Sequence, residues 1–353
     1  MRRSRRRWLT GVVLLSLVVT AGLYYMRSRP EPERQGRLPA PIGTLPRIQA
    51  ELRPAPVDPA TAPAPAPAPV PVDPLAAVAG NARALSADKA QALLREALQS
   101  AAAGQLLQAR AGLADALNSR SLTAAEARTA RQTLLEVAQK TLFTRQVVDG
   151  DPCTLSYVVK PGDTLVGIER ANKLRVPAQL VMKINGIAEA RQIAAGQRLK
   201  LVRGPFHAVV AKGRHTMDVY LEEPGTGRLI LAREFAVGIG KEGSTPLGQW
   251  RLALGGKMQH APWTPPSSSD LARRRILWGE RDYPLGAKGY WISLQGVGEN
   301  ALSAEDGYGI HGTNDPASVG KDLSMGCIRL VDDDIETVFA LLYEHWSRVT
   351  VLP

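Results

Sequence analysis

At 353 residues with 44% apolar content, the chain has room for two or three domains and enough hydrophobic material for a substantial core, which excludes a disordered protein. Its formal charge is +11, but Arg2, Arg3, Arg5, Arg6, Arg7, Arg27 and Arg29 supply seven of those charges and flank a single apolar run. What remains is about +4, too weak to point to a nucleic-acid partner.

That run, Trp8 to Met26, is nineteen residues without a charge, just long enough to span a hydrocarbon core as a helix. Five arginines precede it and two follow, which predicts a cytoplasmic amino end and export of everything beyond it. Residues 1–29 therefore read as an Arg-rich tip with a membrane anchor at 8–26. The protein is expected in the cell membrane, single-pass, with its catalytic part periplasmic or extracytoplasmic. A cleaved signal peptide is the alternative, since Val19 to Ala21 offers small residues at suitable offsets.

Residues 30–80 form a Pro/Ala-rich linker ("PAPVDPATAPAPAPAPVPVDP") that cannot bury apolar surface and favours extended polyproline conformation. Fully extended, its Pro30 to Pro74 stretch reaches roughly 140 Å from the bilayer at about 3.1 Å per residue. Residues 81–148 read as helices. Ser86 is placed to cap the first, which carries Leu93, Leu94 and Leu98; Leu106, Leu107, Ala109, Leu113, Ala114 and Leu117 stripe the second; Thr123 and Glu126 make a capping box for the third. A helical spacer or a dimerisation element is the expectation for this region.

Residues 155–203 predict a compact βααβ unit. A strand at Tyr157 to Val159 enters the turn "KPGDT", where Asp163 or Thr164 caps a helix bearing Leu165 and Ile168; a second helix lies in "VPAQLVMKIN", and a turn at Gly196 leads to the strand "RLKLV". In "YVVKPGDTL", "LVMKIN" and "IAAGQRLKL" the chain resembles a LysM domain. The resemblance implies binding to N-acetylglucosamine-containing glycans such as peptidoglycan strands, with Gly162, Asp163, Thr164 and Asn185 as glycan contacts.

Residues 206–353 are strand-rich, with a hairpin at "PGTG", further strands in "STPLGQWRLAL", "GYWISLQG" and "RVTVLP", and one helix from Asp332 to Tyr343. Between Gly255 and Gly289 lies a polar excursion, predicted as a substrate-covering flap. The stretches "VGIGKEGSTPLGQW", "APWTPP", "YPLGAKGYWISL" and "YGIHGTNDPASVGKDLSMGCIRL" resemble the L,D-transpeptidase catalytic domain of the YkuD family. That resemblance implies a mostly-β fold and acyl transfer on peptidoglycan stem peptides through a cysteine thioester, with Cys327 as nucleophile, His311 as its base or ion-pair partner and Arg329 as a substrate-binding arginine. Met325 stands where the family frequently has histidine.

The residue chemistry supports the same assignment. A thiol with an ordinary pKa near ~8.5 needs a partner that lowers it, and His311 is expected to do so for Cys327. Gly326 permits a tight turn whose amide groups, at Gly326 and Cys327, can point at an oxyanion, while Gly312 frees its carbonyl to orient the imidazole. Arg329 offers a planar fork for a stem-peptide carboxylate. Ser324, Tyr308 and Trp291 are candidate substrate-side contacts or packing supports. A disulfide would disable the nucleophile, so Cys153 and Cys327 are expected as free thiols. No metal site or cofactor is expected: there is no HExxH, and His207, His215, His260, His311 and His345 lack ligand spacing. Competing readings are a non-catalytic wall anchor and an L,D-carboxypeptidase or sortase-like cysteine transferase; a protein acceptor is a further possible partner.

Overall fold

The computed structural model describes residues 85–265, 274–298, 300, 302–303 and 306–353. The apolar run at 8–26 and the linker at 30–80 lie outside these residues. Among the described residues no helix is long and apolar enough to cross a membrane.

The chain begins with three helices, α1 (Ala87–Ala102), α2 (Leu106–Asn118) and α3 (Ala124–Leu142). Ser86 occupies the N-cap of α1 without a side-chain bond, whereas Thr123 and Glu126 form the full capping box that starts α3. Small residues let α1 and α2 approach closely: a Cβ on Gly112 would sit 2.9 Å from that of Ala97. The βααβ unit follows as β1 (Thr154–Val158), α4 (Leu165–Ala171), α5 (Ala178–Asn185) and β2 (Arg198–Val202), with β1 and β2 antiparallel.

The remaining strands are β3 (Phe206–Ala211), β4 (Thr216–Glu222), β5 (Leu229–Ala236), β6 (Ile239–Gly240), β7 (Gly248–Met258), β8 (Trp291–Val297), β9 (Gly309–Gly312), β10 (Asp322–Ser324), β11 (Ile328–Leu330) and, after helix α6 (Asp332–Leu341), β12 (Arg348–Leu352). Eight of them form one sheet in the order β11-β9-β8-β7-β12-β3-β4-β5, while β6 and β10 pair separately in parallel. Within the sheet β12 runs parallel to β3 and β11 parallel to β9. The edge strand β5 is covered by the helices, as an exposed edge generally must be. There Asn118 Nδ2 donates to Leu229 O, Arg131 pairs with Asp218 and Glu234, and Arg228 bonds Asp115.

That packing overturns the expectation of a helical spacer. Leu113 and Leu142 of the helices, Leu180 and Leu199 of the βααβ unit and Phe206 and Ile230 of the sheet belong to one continuous core. Polar ties cross the same junctions. Arg110 in α2 is 2% exposed and makes two bonds to Asp151, which also accepts from Cys153 N and Thr154 Oγ1. Lys200 in β2, 1% exposed, donates to Thr141 O and Gln146 O at 2.5 and 2.6 Å, and its burial draws the ammonium down to about 8. Helix α6 meets the βααβ unit through Lys183–Glu336, and Tyr343 Oη donates to Glu169.

The excursion predicted as a loop is partly regular. Its first residues prolong β7 to Met258. Its remainder carries a small core of Ala261, Ile276, Tyr283 and Leu285, packed against Trp263 and Trp291 and closed by reciprocal Trp263–Ile276 backbone bonds. These apolar contacts join the described segments on either side of residues 266–273.

Removing one partner of a buried ion pair leaves the other desolvated and uncompensated. Arg110→Ala should therefore lower stability by about 3–5 kcal/mol in urea unfolding, whereas Arg191→Ala, whose pair with Glu189 is solvent-exposed, should be near silent.

Candidate active site

Strand register assembles the site. In the parallel pair β9–β11, Ile310 lies beside Ile328 and Gly312 beside Leu330, and these point into the core. Side chains alternate along a strand, so the partners His311 and Arg329 share the opposite face, while Cys327 stands immediately before β11, near enough for the Arg329 charge to act on its thiol. A backbone hydrogen bond from Gly309 to the thiol and a contact of Cys327 Sγ with Gly307 O at 3.5 Å fix the sulfur beside β9. Both cysteines are free thiols, with Cys153 buried far from this face.

The turn before Cys327 needs glycine. Gly326 has φ +121°, and a Cβ there would lie 2.7 Å from the Tyr308 ring and 2.9 Å from Ser244 O. Ser324 Oγ donates to Cys327 O at 2.6 Å and accepts from Gly326 N at 3.1 Å. Of the two roles open to Ser324, these bonds show the supporting one: it is buried and staples the turn. The oxyanion expectation is narrowed, since the Gly326 amide is already engaged and a donor at this turn would rest on the Cys327 amide.

Tyr308 props the same turn from below, its ring tilted against Trp250 at 5.7 Å. Trp291, the register partner of His311, stacks on the imidazole at 5.3 Å and 15°. The indole can lie there because position 309 is glycine: a Cβ would come within 2.7 Å of the ring. Trp291 and Tyr308 thus support the reactive groups.

His311 is 5% exposed, and its Nδ1 lies 2.6 Å from Gly312 O. A carbonyl only accepts, so Nδ1 carries the proton and Nε2 keeps a lone pair. Burial pushes the imidazole down to about 4; the Gly312 carbonyl opposes this and the Arg329 charge adds to it. Burial likewise pushes the Cys327 thiol up to about 11, against the Gly309 amide and Arg329. The expectation that His311 holds the thiol at a lowered pKa is therefore corrected: burial shifts both groups toward their neutral forms, against the Arg329 charge at the thiol and together with it at the imidazole. Arg329 is held by reciprocal backbone bonds with Gly238, at 2.9 and 2.8 Å, and forms no ion pair with a carboxylate among the described residues.

Sequence reasoning did not find the groups that buttress this turn. A Cβ on Gly240 would meet Gly326 Cα at 2.8 Å, and the Gly240 amide donates to Thr245 Oγ1. Lys212 Nζ donates to Gly243 O and Thr245 O, and His215 bonds Asp322 at 2.6 Å. Lys212 and His215 lie over a hundred residues from Cys327, so no local pattern marks them.

In the βααβ unit, Gly162 has φ +83° and with Thr164 remains on an exposed turn, where Thr164 Oγ1 caps Gly167 N. Asp163 Oδ2 accepts from Lys160 N and Tyr157 Oη, closing the turn. Asn185 is corrected from a glycan contact to a structural residue: it is buried and bonds Val181 O, Lys200 O and Lys200 N, joining α5 to β2.

Comparison with known proteins agrees with this layout. Residues 205–351 match the family described as the L,D-transpeptidase catalytic domain, YkuD, and residues 157–202 match the LysM domain. "Putative L,D-transpeptidase YkuD" of Bacillus subtilis (strain 168) is 29% identical over 205 residues, covering 56% of this chain and 98% of that protein. Its namesake from Bacillus licheniformis is 28% identical over 206 residues, 56% of this chain and 99% of that one. A solved L,D-transpeptidase from Mycobacterium smegmatis aligns over 46% of this chain and 65% of its own at 16% identity, with a TM-score of 0.29, too low to carry an argument. Residues 157–202 thus match a LysM domain and residues 205–351 an L,D-transpeptidase catalytic domain, in that order along the chain.

Proposed function

We propose that the protein is a peptidoglycan L,D-transpeptidase that transfers the acyl group of a tetrapeptide stem through Cys327. The observation that carries this reading is the pairing of His311 with Arg329 across β9–β11 directly beside the Cys327 turn, with the imidazole tautomer fixed by Gly312. Because the thiol and imidazole rest neutral, His311 acts as a general base at the moment of attack rather than in a standing ion pair.

Nε2 takes the thiol proton as Sγ bonds the scissile carbonyl carbon, and the resulting imidazolium gives that proton to the leaving amine as the C–N bond breaks. The thioester is then opened by an acceptor amine, whose proton passes to Nε2 and back to sulfur. Charge on the carbonyl oxygen is met by the Cys327 amide, and Arg329 takes a stem carboxylate in its planar fork. An amine acceptor yields a 3–3 cross-link or a protein attached to the wall; water would make the same site a carboxypeptidase. The LysM domain supplies glycan affinity, and the segment at 8–26 anchors the protein so that its catalytic part works outside the cytoplasm.

Incubating the protein with a disaccharide-tetrapeptide should give an acyl adduct on Cys327 by intact mass spectrometry. Cys327→Ala should abolish it, and turnover persisting in that variant would refute the assignment. His311→Ala should lower acylation by several orders of magnitude, roughly the 10²–10⁴-fold of a lost general base compounded by a thiol left without a proton acceptor. Met325→Leu, at a half-exposed position with no proton to offer, should leave the rate within about twofold.

Acylation should stay level from neutrality down through mildly acidic pH and fall as His311 protonates near about 4. The same shift has a stability consequence. The folded imidazole lies below its ordinary 6.5, so its contribution is complete above that value and is lost as pH falls toward about 4. Thermal melts should show a shallower acid slope in His311→Gln than in the wild type.

A further inference from the structure

Where the three parts of the described chain meet there is a cavity of about 350 Å³. It is lined by Phe143 at the end of α3, Leu180 and Ile184 of α5, Phe235 of β5, and the charged residues Arg233 and Asp334 from β5 and α6, with Lys183, Glu234 and Thr337 completing it. That volume falls at the small end of the roughly 300–1,000 Å³ range of ligand pockets.

Two of its charges are already engaged. Glu234 pairs with Arg131, and Lys183 lies 3.5 Å from Glu336. Arg233 and Asp334 are different: neither forms an ion pair with any described residue. The Arg233 guanidinium lies 4.1 Å over the Phe143 ring, and its Nε is buried without a hydrogen-bond partner. Such an orphan is costly and calls for an acceptor. Its placement is built rather than incidental. The β4–β5 ladder shifts register between Val219, which faces Arg233, and Tyr220, which faces Leu231, so Ala232 is a bulge, the device by which strands re-aim a side chain. Across the cavity, burial and the neighbouring Asp333 raise the Asp334 carboxyl, as expected of an acid lacking a cation.

We propose that this cavity binds a free amino acid with an apolar side chain, its carboxylate on Arg233, its ammonium on Asp334 and its side chain among Phe143, Leu180, Ile184 and Phe235. The two unpaired charges are of opposite sign and Phe143, Leu180, Ile184 and Phe235 line the same cavity, which matches a zwitterion carrying a hydrocarbon group and matches neither a simple anion nor a neutral sugar. Occupancy would also bridge the helical region, the LysM domain and the catalytic sheet. The site is independent of the thiol chemistry and does not depend on it.

Titration calorimetry of the full chain with leucine, in either enantiomer, tests this. One molecule should bind at millimolar or lower concentration, and Arg233→Met and Asp334→Asn should each weaken it by about tenfold or more, the value of one charge-assisted bond. Isopentylamine and 4-methylpentanoate, each lacking one charge, should bind wild type at least about tenfold more weakly. Equal binding by either analogue, undiminished binding by the variants, or no leucine binding would overturn the proposal. Should Arg233→Met not fold, NMR on the wild type decides: contacts from leucine methyls to the Phe143 and Phe235 rings support the site, and their absence refutes it.

Discussion

The parallel pairing of β9 with β11 is the constraint on which the reactive site depends. Two short strands at one end of an eight-stranded sheet are locked because Ile310, Ile328 and Leu330 are buried beneath them. A one-residue slip of β11 against β9 would expose Ile328 and Leu330 and turn Arg329 into the core, so hydrophobic burial fixes the chemistry's register. Gly326, Ser324 and the Gly240 loop then set where the thiol stands relative to that ladder. Each of these groups acts on backbone position, which explains why several conspicuous polar residues of the motif touch no free space.

The electrostatics follow from the same packing. Trp291 covers one face of the imidazole and is itself packed against the small core of the excursion, so His311 lies in a drier place than an exposed histidine. Desolvation there shifts both partners toward their neutral forms, aided by Arg329 at the imidazole and opposed by it at the thiol. A neutral pair protects the thiol from indiscriminate reaction, since reactivity belongs to the thiolate. It also assigns His311 a timed role, taking the proton only as the carbon–sulfur bond forms.

The modules share a core rather than hanging from one another. Phe143 stacks with Phe206 across the helical–catalytic boundary at 6.3 Å, while Lys200 caps carbonyls at the end of α3 from within the LysM domain. Buried ions at these junctions contribute little net stability but make a wrong docking costly, because Arg110 or Asp151 would then be left unpaired. The LysM turn at Gly162 to Thr164 is consequently held in a defined place with respect to the catalytic sheet, and the cavity around Arg233 exists only because all three parts converge on it.

How much was legible beforehand depended on the range of the interaction. Helix positions came from apolar periodicity and the Thr123–Glu126 box, the βααβ order from alternating and helical patterns, and Cys327, His311 and Arg329 from the resemblance of their motif to the YkuD family, supported by the chemistry of those residue types. Those features are written within a few residues of each other. Tertiary structure alone decided that Asn185 and Ser324 would turn inward, since burial depends on partners such as Lys200 that are distant in the chain or on a turn closed by other segments. It also decided that the helices cover β5, that Lys212 and His215 brace the catalytic turn, and that the Cys327–His311 pair is neutral. A sequence carries the charge of a side chain, but its protonation depends on desolvation, and desolvation is a property of what folds around it.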